Sequence, residues 1–95
     1  MSAYVVLDIS VHDHKGYEDY KQLAARAIDA YGGKYLARGG RAETLEDGWQ
    51  PNRIVILEFD SVDRAKQWYN SPEYRDGRAL RHKTATTQAI IVEGL

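Results

Sequence analysis

The sequence contains no cysteine, so disulfides, thiolate metal sites and thiol nucleophiles are all excluded. It also lacks an excess of either charge. Lys+Arg is 13 and Asp+Glu is 14, a formal net charge of -1. Nucleic-acid phosphate selects for a basic surface, so no nucleic acid is expected as a partner. Long apolar runs are missing too. The opening Ala3-Tyr4-Val5-Val6-Leu7 is broken by Asp8 and follows no basic residue. A signal peptide needs a basic start and ~7–15 apolar residues, and a spanning helix needs ~20. No membrane partner and a cytoplasmic location are therefore expected. No P-loop or dinucleotide glycine pattern exists, since Gly39-Gly40 leads into strand-like sequence and not a helix. No nucleophile elbow frames a serine. Ser61 and Ser71 read as helix caps, Ser2 is terminal and Ser10 lies on a strand.

What remains is a 95-residue chain, 43% hydrophobic and 28% charged, which is globular and not disordered. One domain over residues 1–95 is expected. Ala3 to Val11 is rich in β-branched residues and predicts a strand. Asp13 follows as an N-cap. Tyr17, Tyr20, Ala24, Ala27, Ile28 and Tyr31 recur at helical spacing, opposite Glu18, Gln22, Arg26 and Asp29, which predicts an amphipathic helix ended by Gly32-Gly33. Lys34 to Arg38 reads as a second strand. Gly39-Gly40 suggests a bulge, with pairing resuming through Arg41 to Leu45 and a turn at Glu46-Asp47-Gly48-Trp49. Pro51 keeps its neighbourhood out of the ladder, and Arg53 to Phe59 is the strongest strand. Ser61 opens a helix that carries Val62, Ala65, Trp68 and Tyr69 on one face. Ser71-Pro72-Glu73 starts the next, with Tyr74 and Leu80 as its main core residues and Arg78, Arg81, His82 and Lys83 suiting the dipole at its end. Thr86 to Glu93 is the last strand.

This order predicts a ferredoxin-like βαββαβ fold of the α+β class, a four-stranded antiparallel sheet with helices on one face. The first and third strands are expected at its centre and running parallel. One-sided helices should leave alternating apolar and polar residues. Instead Val55, Leu57 and Phe59 share one parity while Ile54 and Ile56 share the other, and Tyr4/Val6 and Ile90/Val92 repeat the pattern. Both faces are apolar, so a second copy is expected to cover the open one as a homodimer.

Several segments resemble the family known as domain of unknown function 1330. They are Tyr31-Gly32-Gly33-Lys34-Tyr35-Leu36-Ala37-Arg38-Gly39-Gly40, Trp49-Gln50-Pro51-Asn52-Arg53, Glu58-Phe59 and Trp68-Tyr69-Asn70-Ser71-Pro72-Glu73-Tyr74. The resemblance spans nearly the whole chain. It departs at His14-Lys15-Gly16, where a proline after the Asp cap would be typical, and that touches helix initiation only. The resemblance implies the dimeric α+β barrel superfamily, which includes cofactor-free monooxygenases, muconolactone isomerases, haem-degrading enzymes and stress-response proteins. Fold analogy across so many chemistries supplies no single reaction.

The residues themselves offer candidate chemistry. Asp8 and Glu58 lie on neighbouring strands, where two carboxylates in one pocket divide into acid and base. Alternatively each pairs with an arginine or sits at a polar rim. Arg38 and Arg53 flank the hairpin and suit a carboxylate ligand held bidentately, or else structural salt bridges such as Arg38–Glu58. Tyr17, Tyr20, Tyr35, Trp68, Tyr69 and Tyr74 are many aromatics beside a single Phe, either ordinary core or the walls of a pocket for a flat, polar-edged molecule. His12 and His14 lack a third metal ligand and read as exposed loop residues, with His12 retained as a candidate general base at a pocket mouth. No metal or cofactor is expected.

Three functions fit such a fold. The chain either transforms a small aromatic or carboxylated molecule without a cofactor, through Asp8, His12, Glu58 and Arg38, or is a non-catalytic ligand-binding or stress-related structural module. An RNA-recognition domain is disfavoured, because the third strand carries one aromatic. A pocket between helices and sheet, lined by Tyr20, Arg38, Glu58, Trp68 and Tyr69 and flanked by Arg53, is the expected ligand site. Trp68 is expected to be buried, and Trp49 to sit at a turn.

Overall fold

Alternation along the strands decides which side of the sheet carries the helices. A computed structural model describes residues 1–95. Its elements run β1 (Ala3–Val11), α1 (His14–Ala30), β2 (Lys34–Arg38), β3 (Arg53–Phe59), α2 (Val62–Tyr69), α3 (Pro72–Thr84) and β4 (Ala85–Glu93). Val5, Leu7 and Ile9 of β1 and Val55, Leu57 and Phe59 of β3 are buried beneath the helices. The opposite parity, with Tyr4, Val6, Ile54 and Ile56, faces the uncovered side and is half-buried.

The sheet order is β2-β3-β1-β4. β1 and β3 are central, as expected, but antiparallel, with Val5 opposite Leu57 and Leu7 opposite Val55. The expectation of parallel central strands is thus corrected. Each helical crossover joins a parallel pair one strand apart, β1 with β2 and β3 with β4, and the intervening strand runs the other way.

The helices start where their caps place them. Asp13 Oδ1 accepts from the Gly16 N–H at 3.0 Å, Ser61 Oγ from Arg64 at 3.0 Å and Ser71 Oγ from Tyr74 at 3.1 Å. α1 ends at Gly32, whose φ of 74° lets the chain turn into β2. α1 then buries Tyr17, Tyr20, Ala24, Ala27 and Ile28. Trp68 is 1% exposed and Trp49 is 64% exposed.

Two elements depart from the sequence reading. The β2–β3 ladder shifts register between Tyr35 and Ala37, so the irregularity sits at Leu36, before the glycine pair. Pairing does not resume over residues 41–45, and the chain from Gly40 to Asn52 is an irregular arm with a turn at Asp47-Gly48. On α3 the buried residues are Tyr74, Gly77, Arg81 and Thr84, with Leu80 only half-buried. Gly77 faces Leu23 of α1 so closely that a Cβ there would lie 3.3 Å from the Leu23 Cβ. Arg81 lies one turn further along the same buried face of α3.

Candidate functional site

The end of β1, the start of β3 and the first turns of α1 converge at one corner of the helix–sheet layer. Ile9 pairs with Arg53 in the ladder, and Tyr17 packs above them from α1. Their side chains border two adjoining spaces. The inner one is a cavity of about 20 Å³ whose wall includes Leu7, Tyr20, Tyr35, Leu57 and Trp68. A water molecule needs roughly 10–15 Å³ by the same measure, so this space admits one water-sized group and no ring. The outer one is a cleft of about 320 Å³ walled by Ser10, Val11, His14, Glu18 and Asn52. Ile9, Tyr17, Lys21 and Arg53 line both.

Arg53 dominates the cleft. Its guanidinium lies 5.7 Å from the centre of the Tyr17 ring. It also lies flat against Gly39, where a Cβ would stand 2.1 Å from Nη1. Gly39 has φ 71°, a conformation that suits glycine, so the turn after β2 both bends the chain and leaves room for the arginine. The side-chain ion pairs of the chain are Lys21–Glu18 at 3.0 Å and Arg41–Glu43 at 2.8 Å, so Arg53 has no carboxylate partner. Its Nε is buried without any hydrogen bond. Arg38 joins the inner wall, its guanidinium 4.5 Å from the Tyr35 ring centre.

Tyrosines fill the layer behind the cleft. The hydroxyls of Tyr20 and Tyr74 hydrogen-bond at 2.8 Å. Trp68 stacks on Tyr74 at 4.4 Å and approaches Phe59 at 5.2 Å. Burial raises the pKa of Tyr17, against the pull of the Arg53 charge. Burial likewise raises Tyr20, reinforced by Tyr74, and raises Tyr35 against Arg38. These phenols are therefore neutral donors and acceptors at ordinary pH.

The candidate residues divide sharply. Tyr20, Arg38, Arg53 and Trp68 border one cavity. Tyr69 does not: it lines a separate apolar groove of about 320 Å³ with Val5, Leu7, Trp68, Ala89, Ile90 and Ile91. Glu58 pairs with Tyr4 and Lys34 on the uncovered sheet face, whereas Arg38 pairs with Val55 on the helical face. The Arg38–Glu58 bridge is thus not formed, and Glu58 drops out of the pocket. Asp8 is also on the uncovered face, where Oδ1 accepts the Asn52 N–H at 2.9 Å and pins the arm. Asp8 and the Glu58 partner Tyr4 are four positions apart on one strand, on the order of 13 Å, so the two carboxylates do not share a pocket. His12 is exposed at the β1–α1 junction, its backbone N–H bonded to the Thr84 carbonyl. No group of three or more metal-ligating side chains converges anywhere in the chain.

Lys21, His14 and Asn52 belong to the cleft without having been singled out for it, whereas Tyr17 was among the aromatics read as core or pocket wall. Tyr17 and Lys21 are one turn apart on α1, a spacing visible in the sequence. Asn52 enters through the arm, which no periodicity describes. Arg81, read only as one of the cations that suit the dipole at the end of α3, is buried.

Comparison with known proteins agrees with this fold. The family model described as "Domain of unknown function (DUF1330)" matches residues 2–95. No curated protein matches the sequence. Among solved structures, the RPA0582 protein of unknown function from Rhodopseudomonas palustris is 17% identical with a TM-score of 0.79, over 99% of this chain and 82% of that one. A dimeric ferredoxin-like protein of unknown function from Thermobifida fusca YX is 14% identical with a TM-score of 0.67, over 99% and 92%. SnoaB, a cofactor-independent oxygenase from Streptomyces nogalater, is 13% identical with a TM-score of 0.60, over 99% and 93%. At these identities the likeness is one of fold. No helix is long and apolar enough to cross a membrane.

Proposed function

Because this chain belongs to the DUF1330 family, a domain of unknown function, we propose its role from its own cleft: it binds a small organic acid there, and it does so as a homodimer. The observation that carries the reading is Arg53. Its guanidinium is half-buried at the floor of an open cleft, has no acidic partner, and keeps a buried Nε unbonded. A planar fork of donors in that state is complemented by a carboxylate, which accepts two parallel bonds. Lys21 and Asn52 stand beside it. The inner cavity takes only a small group, so the ring or chain of the acid lies in the outer cleft against Ile9 and Tyr17. Binding is favoured over transformation because Asp8, His12 and Glu58, the acid–base candidates, all lie outside the cleft. No cofactor enters the proposal. The homodimer is supported by the apolar uncovered sheet face and by dimeric neighbours of the same fold.

The test is a thermal-shift panel of benzoate, phenylacetate and hexanoate against the wild type, Arg53→Met and Arg38→Met. An upward shift in the wild type that disappears in Arg53→Met is the expected result. Equal shifts in all three proteins would remove both arginines from the site. No shift with any acid would overturn the reading.

A further inference from the structure

Arg81 is 2% exposed, and its Nε has no hydrogen-bond partner. No carboxylate forms an ion pair with it. A guanidinium taken out of water costs several kcal/mol unless it is paired. Side chains on a helix lean back over the preceding turn, so Arg81 runs over Gly77 towards Tyr74, two turns earlier on the same buried face of α3. Tyr74 is hydrogen-bonded to Tyr20, whose ring is 5.1 Å from that of Tyr17. Tyr17 in turn stacks against Arg53. Two guanidiniums without carboxylates therefore flank one row of tyrosines, Arg81 at its inner end and Arg53 in the cleft. The electrostatic neighbours of Tyr17 include both arginines, and those of Arg81 are led by Tyr74 and Tyr20. Neither guanidinium has a carboxylate partner, and the tyrosine row is what lies between the two charges.

An apolar side chain of similar size at position 81 would remove the burial penalty, and such replacements are often neutral or stabilising. Packing alone does not account for an arginine there. We infer that Arg81 is a positioning residue for the acid ligand: its buried charge holds the Tyr74–Tyr20–Tyr17 row polarised towards the cleft, so that the bound carboxylate supplies the missing counter-charge. This inference rests on the acid-binding reading above. Arg53 touches the ligand, and Arg81 acts on it through the tyrosines.

The experiment measures benzoate affinity by calorimetric titration, and thermal midpoint, for the wild type, Arg81→Met, Arg81→Lys and Arg53→Met. Arg81→Met is expected to melt at or above the wild-type temperature while binding benzoate about tenfold more weakly, the change that corresponds to about 1.4 kcal/mol. Arg81→Lys keeps the charge and is expected to recover most of the affinity. The loss in Arg81→Met is expected to persist at high salt, because buried charges are screened much less than exposed ones. Wild-type affinity in Arg81→Met overturns the inference while leaving the cleft reading intact, provided Arg53→Met abolishes binding. A lower melting temperature in Arg81→Met, or loss of affinity in Arg81→Lys as severe as in Arg81→Met, makes Arg81 structural. No benzoate binding by the wild type removes the reading and the inference together.

Discussion

At the scale of single residues, the cleft depends on one glycine as much as on one arginine. Gly39 holds φ 71° beneath the Arg53 guanidinium. Gly39→Ala adds a methyl where no space exists and puts an L-residue in the left-handed region, which costs roughly 1–2 kcal/mol before any clash. The variant is expected to unfold at lower urea and to lose acid binding, since Arg53 must move off its seat. Urea titration and benzoate calorimetry on the same preparation check both effects. Trp68 behaves as core: it is 1% exposed and wedged between Phe59 and Tyr74. Trp68→Ala is expected to cost ~3–5 kcal/mol in urea unfolding. Arg53 and Trp68 were both legible from residue type and spacing. Arg81 was not, because a cation near a helix C-terminus has an ordinary electrostatic explanation, and only its 2% exposure in the fold shows that it is interior.

Secondary-structure elements were legible because their ends carry chemistry. β1, α1, β2 and β3 have the expected bounds, since caps and glycines mark them. The β2–β3 connection was not legible. The shift at Leu36 lies in a stretch with no glycine or proline, so the sequence pattern places the irregularity too late. That one position decides which face each hairpin residue takes, and hence that Arg38 and Glu58 part company. The α2–α3 junction is the clearest test of an element boundary. Ser71 is 4% exposed, donates to the Trp68 carbonyl at 2.7 Å and accepts from the Tyr74 N–H at 3.1 Å, closing one helix and opening the next. Removing such a cap costs ~0.5–2 kcal/mol. Ser71→Ala is expected near the upper end of that range, because the Trp68 carbonyl loses its hydroxyl donor in a buried setting. Ser71→Thr, which keeps the hydroxyl, separates that loss from a change in packing when both are unfolded in urea.

Over the whole molecule, the two-faced sheet was the most informative pattern in the sequence, and the same pattern sets the expected assembly. Ile90 is 59% and Val92 45% exposed on the uncovered face of β4, beside half-buried Tyr4, Val6, Ile54 and Ile56. Covering that face with a second copy is expected to bury on the order of 1,500 Å² or more in total. Sedimentation at micromolar concentration is expected to give twice the mass of one chain, and a folded 10.8 kDa species would exclude the dimer.

The other face imposes a pH limit on the fold. Tyr17, Tyr20 and Tyr35 all have pKa values raised above the usual phenol range, each chiefly by burial. An unfolded tyrosine ionises near pH ~10. Below that pH both states keep the phenolic protons, and the tyrosines contribute their full stability. Above it the unfolded chain releases protons that the native chain retains, so stability falls as pH rises from about 10 through the higher native values. The protein is expected to unfold cooperatively in alkali, with tyrosinate absorbance appearing together with the loss of near-ultraviolet circular dichroism and not before it. Tyr20→Phe removes one of the three linked groups and is expected to shallow that pH dependence, even if it weakens the fold at neutral pH by breaking the bond to Tyr74. If the full tyrosine signal appears while the fold is intact, the row behind the cleft is open to hydroxide and does not form the closed, low-dielectric wall through which Arg81 is argued to act.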